Sequence, residues 1–149
     1  MMHSFTNCLM HCVWATKNRD HCLTPSLRER LWPYLSGIAK QNQMKALAVG
    51  GTADHVHVLL SLPATLSIAK TVQLLRGNSS KWIHETFAKM PGFAWQEGYG
   101  AFSVGVSGAE TSVRYIRNQA EHHWTRSFRD ELVAMLRKHG FDYDESMLD

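Results

Sequence analysis

Cysteine is scarce in this chain, with three among 149 residues. So few thiols, and an odd number of them, exclude a disulfide-stapled mini-protein and fit reduced cysteines in a cytoplasm. Long apolar runs are missing as well. The longest charge-poor stretch, His55 to Ala69, is broken by His57, Ser61 and Pro63, and is too short and too polar to span a bilayer. Met1 to Met10 has no basic n-region and no small-residue cleavage site, so no signal peptide and no membrane partner are expected. Walker A, GxGxxG and nucleophile-elbow motifs are absent, as are internal repeats and linkers rich in Pro or Ser.

Hydrophobic residues make up 44% of the chain and charged residues 19%, which argues against disorder. The length predicts one domain over residues 1–149, with a catalytic core over about 5–123 and a C-terminal helix and acidic tail over 124–149. Charge is unevenly placed. Residues 1–120 hold twelve Lys and Arg against six Asp and Glu, whereas residues 121–149 hold four against seven. A basic body of this kind fits a polyanionic partner.

Residues 5–16 read as a strand. Thr24 followed by Pro25 is an N-cap with proline at the first helical position, and Leu27, Leu31, Tyr34, Leu35 and Ile38 continue a helix over 25–42. Residues 44–49 and 55–62 read as a strand pair around Gly50-Gly51. Residues 66–88 read as a helix burying Ile68, Val72, Leu75, Trp82, Ile83 and Phe87, and residues 93–106 as an extended segment. Ser107 with Glu110 predicts a capping box opening a helix over 108–122. A last helix follows over 127–139, with Gly140 at its C′ position. The order β-α-β-β-α-β, then α-α, predicts an α+β, ferredoxin-like split βαβ fold: an antiparallel sheet with helices on one face and the other face open to a ligand.

Two constellations carry chemistry. In Asp54-His55-Val56-His57 on a strand, His55 and His57 project to one face, a half-site for a divalent metal or simply two surface histidines. In Tyr115-Ile116-Arg117-Asn118-Gln119 on a helix, Tyr115 and Gln119 share a face, which also suits an ordinary amphipathic helix. Cys8, His11, Cys12, His21 and Cys22 invite a zinc reading. A single strand over 5–16 would hold Cys8 and Cys12 about 13 Å apart, too far for one ion.

Together the two motifs resemble the HUH single-tyrosine transposases: the insertion-sequence enzymes that move single-stranded DNA and their REP-associated relatives. The resemblance also takes in His11-x-x-Trp14-x-Thr16-Lys17-x-Arg19, Gly50-Gly51, Ser79-Ser80-Lys81-Trp82, the segment from Trp95 to Val104, and Glu121-His122-His123. It implies that His55, His57 and Gln119 bind Mg²⁺ or Mn²⁺, and that Tyr115 attacks DNA to form a 5′-phosphotyrosine. It implies hairpin-marked single-stranded ends and a homodimer in which each chain supplies one tyrosine. A tyrosine rather than water keeps the phosphodiester energy for rejoining; with a free pKa of about 10, the phenol needs help to lose its proton. Lys17, Arg19, Lys70, Arg76, Lys81, Arg114 and Arg117 are the expected phosphate contacts, and Trp95 and Tyr99 the expected stacking surfaces. The competing readings are a domesticated hairpin-binding protein that no longer cleaves, and a metal enzyme acting on a small molecule. Glycines 98, 100, 105 and 108 precede the tyrosine helix, where they read either as a pivot or as ordinary turn chemistry.

Overall fold

The computed structural model describes residues 2–122 and 127–148, without the side chains of Glu121 and His122. Strand β1 (Leu9–Ala15) lies between β3 (His55–Ser61) and β4 (Gly100–Val104), and β2 (Lys45–Gly51) pairs with the far side of β3. Every pairing is antiparallel and the order is β2-β3-β1-β4. Helix α1 (Pro25–Gln41) joins β1 to β2, and α2 (Ile68–Thr86) joins β3 to β4, so the expected split βαβ order holds.

Polar caps fix the helix starts. Thr24 accepts a hydrogen bond from the Leu27 amide, and Ser67 from that of Lys70. The strand begins at Leu9 rather than residue 5, because Ser61 and Val104 are the last residues opposite it in the two neighbouring ladders. Ile68 is 38% exposed, since the N-terminal turn of α2 overhangs the core; Val72, Leu75 and Ile83 are buried.

Alternation assigns the two sheet faces. Met10, Cys12 and Trp14 of β1 and Val56, Val58 and Leu60 of β3 pack with Leu27, Leu31 and Leu35 of α1 and Leu75 of α2. Each fully buried leucine there contributes about 2 kcal/mol. The opposite face carries His11, Val13, Ala15, His55, His57 and Leu59. This face is not open. Helix α3 (Ala109–Arg117) seats Ile116 against Ala48 and Leu59, and helix α5 (Phe128–Lys138) packs Phe128, Leu132 and Met135 on Val13, Ala15 and Phe102. The apolar faces of these late helices have only this side of the sheet left to cover.

A bulge in β2 sets how closely α3 approaches. Ala46 pairs with Leu60, but the next paired residue, Ala48, meets Leu59. The extra residue reverses the phase of the strand. Ala48 and Gly50 thereby face α3, while Val49 turns to the α1 core. A Cβ on Gly50 would lie 2.2 Å from the Ile116 carbonyl oxygen, so only glycine lets the α3 backbone rest on β2. Gly51, at φ +156°, makes the tight turn into β3, where a Cβ would meet the His55 carbonyl oxygen at 2.1 Å.

Candidate metal and nucleophile site

His55 and His57 leave β3 on the same face and are both buried. Their Nε2 atoms reach one carboxylate oxygen of Glu131 on α5, at 2.9 Å and 3.1 Å. The Gln119 Oε1, at the start of the short helix α4 (Gln119–His122), lies 3.2 Å from the His55 Nε2. The His55, His57 and Glu131 ligand atoms all lie within 4.8 Å of one another, the one group of three or more His, Cys, Asp or Glu among the described residues that could hold a metal ion.

Both imidazoles are held from behind. The Asp54 carboxylate accepts from His55 Nδ1 at 2.7 Å and from the Thr52 hydroxyl at 3.0 Å. His57 Nδ1 shares a hydrogen bond of 2.8 Å with His11 Nε2 on the neighbouring strand. Such supporting bonds fix the ring plane and decide which nitrogen faces the site.

The electrostatics follow from this wiring. Burial alone would push His55 down, but the hydrogen bonds and charges of Asp54 and Glu131 outweigh it and carry the imidazole up to about 9. Burial likewise opposes ionisation of Glu131, yet its bonds to His55 and His57 hold the carboxyl well below the usual range. His57 is lowered by burial. His11 is lowered to about 3 by burial and by its neighbour His57. Without an ion, the cluster is therefore a His55 imidazolium and a Glu131 carboxylate bonded to each other, flanked by two neutral imidazoles.

Tyr115 stands beside this cluster. It is half-buried, with its ring edge-on to His57 at 5.6 Å and to His11 at 6.2 Å between centroids. The helix that carries it differs from the expected one. A 3₁₀ turn over Val106–Gly108 places Ser107 too early to cap, Gly108 takes the N-cap without a side-chain bond, and Glu110 pairs with Arg114 at 3.1 Å instead of folding back. The helix then breaks at Asn118, and Gln119 starts the next one. Tyr115 and Gln119 still meet the same histidine pair.

The donor set itself suits a divalent ion. Among the described residues the side-chain amide nitrogen of Gln119 is buried with no hydrogen-bond partner, and an amide oxygen and a carboxylate oxygen crowd a single His55 nitrogen. Unpaired buried polar groups are costly, and oxygens gathered around one nitrogen mark a place for a cation. Two imidazoles, a carboxylate and an amide oxygen fit such an ion.

The expected DNA-contact residues separate into groups. Lys17, Lys70, Lys81, Arg114 and Arg117 are exposed, Lys81 paired with Glu85 at 4.0 Å. Arg76 instead donates to the Glu97 and Gly98 carbonyls and lies over the Tyr99 ring, holding the 96–98 loop. The Arg19 guanidinium donates to the Leu148 carbonyl and lies over Phe128, tying the C-terminal turn to the end of β1. Trp95 is half-buried, bonded to Ser79 and packed edge-on against Trp14 and Phe93, with one side on a cleft lined by Lys17. Tyr99 is 42% exposed. Cys12 faces the α1 core while His11 faces the site, so these neighbours point apart. His123 and the side chain of His122 lie outside the described residues.

Glu131 and His11 are the cluster members that the sequence reading did not place there. Glu131 carries a signal: with Phe128 three residues before it and Met135 four after, it is one carboxylate in the apolar stripe of α5.

A split βαβ sheet bearing a buried two-histidine, one-carboxylate cluster next to a tyrosine defines the class: an α+β protein with a site that could hold a metal beside a nucleophile-type side chain. Comparison with known proteins narrows it. The family described as "Transposase IS200 like" matches residues 4–119, and the chain belongs to that family of transposases. The transposase for insertion sequence element IS200 from Salmonella typhimurium is 28% identical over 127 residues, 81% of this chain and 82% of that protein. The ISDra2 transposase TnpA of Deinococcus radiodurans is 26% identical over 114 residues, 73% of this chain and 81% of that protein. A Deinococcus radiodurans crystal structure of a candidate transposase superposes with a TM-score of 0.65 at 28% identity, covering 80% of this chain and 96% of its own. A REP-associated tyrosine transposase bound to a REP hairpin gives a TM-score of 0.59 at 14% identity, over 83% of this chain and 74% of its own, a likeness of fold. No helix among the described residues is long and apolar enough to cross a membrane.

Proposed function

We propose that this transposase cleaves and rejoins single-stranded DNA with Tyr115 as nucleophile, beside a divalent ion held by His55, His57, Glu131 and Gln119. The observation that supports this reading is the convergence, within one chain, of a half-buried tyrosine with two imidazoles, a carboxylate and an amide whose nitrogen has no partner among the described residues. A protein that only binds hairpins has no use for that convergence. Two nitrogens with oxygens suit Mn²⁺ better than Mg²⁺, which prefers an all-oxygen shell. The ion, when bound, supplies a Lewis acid that polarises the scissile phosphate and steadies the departing 3′-oxygen.

The chain's own residues do the rest. The Tyr115 phenol oxygen loses its proton and bonds to phosphorus, the P–O3′ bond breaks, and the departing 3′-oxygen takes up a proton. The reverse attack by a 3′-hydroxyl rejoins the strand and returns the tyrosine. The Gln119 amide, buried and without a partner among the described residues, would donate to a phosphate oxygen. Exposed Lys17, Lys70, Lys81, Arg114 and Arg117 steer the strand, with Trp95 and Tyr99 as stacking surfaces. Arg19 and Arg76 shape loops rather than grip phosphate. Hairpin-marked ends are the substrate, and a homodimer supplies two tyrosines for two ends, in a cytoplasm.

A single-stranded hairpin substrate with Mn²⁺ tests the reading. Wild-type protein gives a covalent adduct resolved on a denaturing gel, and Tyr115→Phe gives none. An adduct in Tyr115→Phe, or hairpin binding without cleavage in the wild type, rejects it; the latter result is that of a domesticated binder.

A further inference from the structure

Between the end of β4, α3 and α5 lies a cavity of about 500 Å³, inside the range of small-molecule sites. Tyr115 and Glu131 are among its lining residues, so it adjoins the candidate nucleophile. Val104 and Met135 give it apolar walls, Thr111 and Ser112 line it with hydroxyls from α3, and Lys138 and His139 stand at the end of α5. Glu131, Ala134, Met135 and Lys138 of this lining come from α5, which lies beyond the family match at residues 4–119.

We propose that this cavity is a nucleotide subsite, taking the unpaired deoxynucleotide next to the phosphate that Tyr115 attacks. The inference rests on the proposed cleavage reaction. A nucleotide presents a flat, largely apolar base face, a base edge of ring-nitrogen, carbonyl and amino groups, and an anionic phosphate. The cavity offers each its complement in sequence: Val104 and Met135 for the base face, Thr111 and Ser112 for its polar edge, Lys138 for the neighbouring phosphate. A nucleotide held there fixes the scissile phosphate against the tyrosine, which is where positioning has most effect on rate. The α5 helix thus serves both the ion, through Glu131, and the strand, through Met135 and Lys138.

The test uses the full chain with Mn²⁺. Deoxynucleoside 5′- and 3′-monophosphates are the binding probes, read by saturation-transfer NMR, with single-turnover cleavage of a hairpin oligonucleotide measured alongside. Wild-type protein binds at least one of the two monophosphate series, and the preferred series tells which side of the scissile phosphate the cavity receives. Ala134→Phe, which projects a ring from the lining into the cavity, abolishes that binding. Lys138→Gln raises the DNA concentration at half-maximal rate about tenfold, the effect of one lost charge-assisted contact, with Mn²⁺ affinity unchanged. Should Ala134→Phe fail to fold by circular dichroism, the exposed Lys138→Gln decides alone. Wild-type cleavage together with unaltered nucleotide binding and half-maximal concentration in the folded variants overturns the subsite and leaves the cleavage reaction standing. Nucleotide binding without any tyrosine adduct overturns the reaction instead.

Discussion

Replacing Gly50 by alanine should separate the placing of the tyrosine from the binding of the ion. Gly50 lies opposite His57 in the β2–β3 ladder, and its missing Cβ is filled by the Ile116 carbonyl oxygen. An added methyl would stand 2.2 Å from that oxygen, whereas real Cβ contacts essentially never fall below 3.0 Å. Neither partner is a flexible side-chain tip, so α3 must retreat by about 1 Å. Ile116 follows Tyr115 directly and precedes Gln119 by three residues, so both move with it. Overpacking of this kind costs about 1–3 kcal/mol, which a chain of this size shows as a fall in Tm of several degrees. A misplacement near 1 Å is worth about 100-fold in rate. Single-turnover cleavage by Gly50→Ala should therefore fall about 100-fold. Mn²⁺ binding, followed by electron paramagnetic resonance, should change far less, because His55, His57 and Glu131 do not ride on α3. Gly37→Ala is the control: at this exposed position of α1 nothing beyond its own helix turn lies within 4 Å of the added methyl, so it should stabilise the helix by about 0.5–1 kcal/mol and leave cleavage alone. Wild-type cleavage by Gly50→Ala would refute the reasoning, since it would mean that α3 is not resting on β2 when the strand is cut.

Asp54→Asn weakens the partner of His55 Nδ1 while keeping the shape, and Mn²⁺ affinity should drop about 10–100-fold by calorimetry, with an unchanged value counting against a supporting role for Asp54. His11 gives the protein an acid limit. Its folded pKa of about 3 lies below the ordinary 6.5, so the unfolded chain takes up the proton first; the stability is present above pH 6.5 and is lost as pH falls toward 3. In urea titrations without metal, wild type should lose about 2 kcal/mol more than His11→Asn between pH 6.5 and pH 5; parallel curves would contradict this. Cys12, buried and pushed up to about 12, should resist thiol reagents in the native state, whereas exposed Cys8 should react promptly, as mass spectrometry of the labelled chain would show.

Much of the fold was legible because its signals are local. Thr24-Pro25 announces a helix start through bonds made within four residues, and Thr24 caps as such a residue does; Ser67 and Ser127 cap their helices in the same way. The His-x-His spacing fixes the two rings on one face whatever lies above them. Signals that depend on distant parts of the chain were not legible. Ser107-x-x-Glu110 has the pattern of a capping box, but the 3₁₀ turn before α3 shifts the helix start past it. The bulge at Ala46–Ala48 leaves no mark in a run of small and apolar residues, yet it decides which glycine meets α3. The open sheet face failed for a similar reason: the apolar stripes of α3 and α5 can be read, but their destination depends on which surface the rest of the fold leaves bare.

The site itself divides along the same line. Its sheet half is written in consecutive letters, with Asp54 and Thr52 beside His55 so that support and ligand fold together. Its helical half is assembled from Gln119 and from Glu131, the latter 74 residues from the His57 it touches. A buried carboxylate is a liability unless cations or hydrogen bonds surround it, so Glu131 can occupy the apolar face of α5 only because two imidazoles await it. The dependence also runs the other way. The carboxylate helps hold His55 charged in the absence of an ion, so a divalent cation entering the cluster exchanges with a proton rather than filling an empty cage. Docking of α5, charge balance at the histidines and affinity for the ion are thus one linked equilibrium, and a lone acidic residue inside an otherwise apolar helix face is the trace it leaves in the sequence.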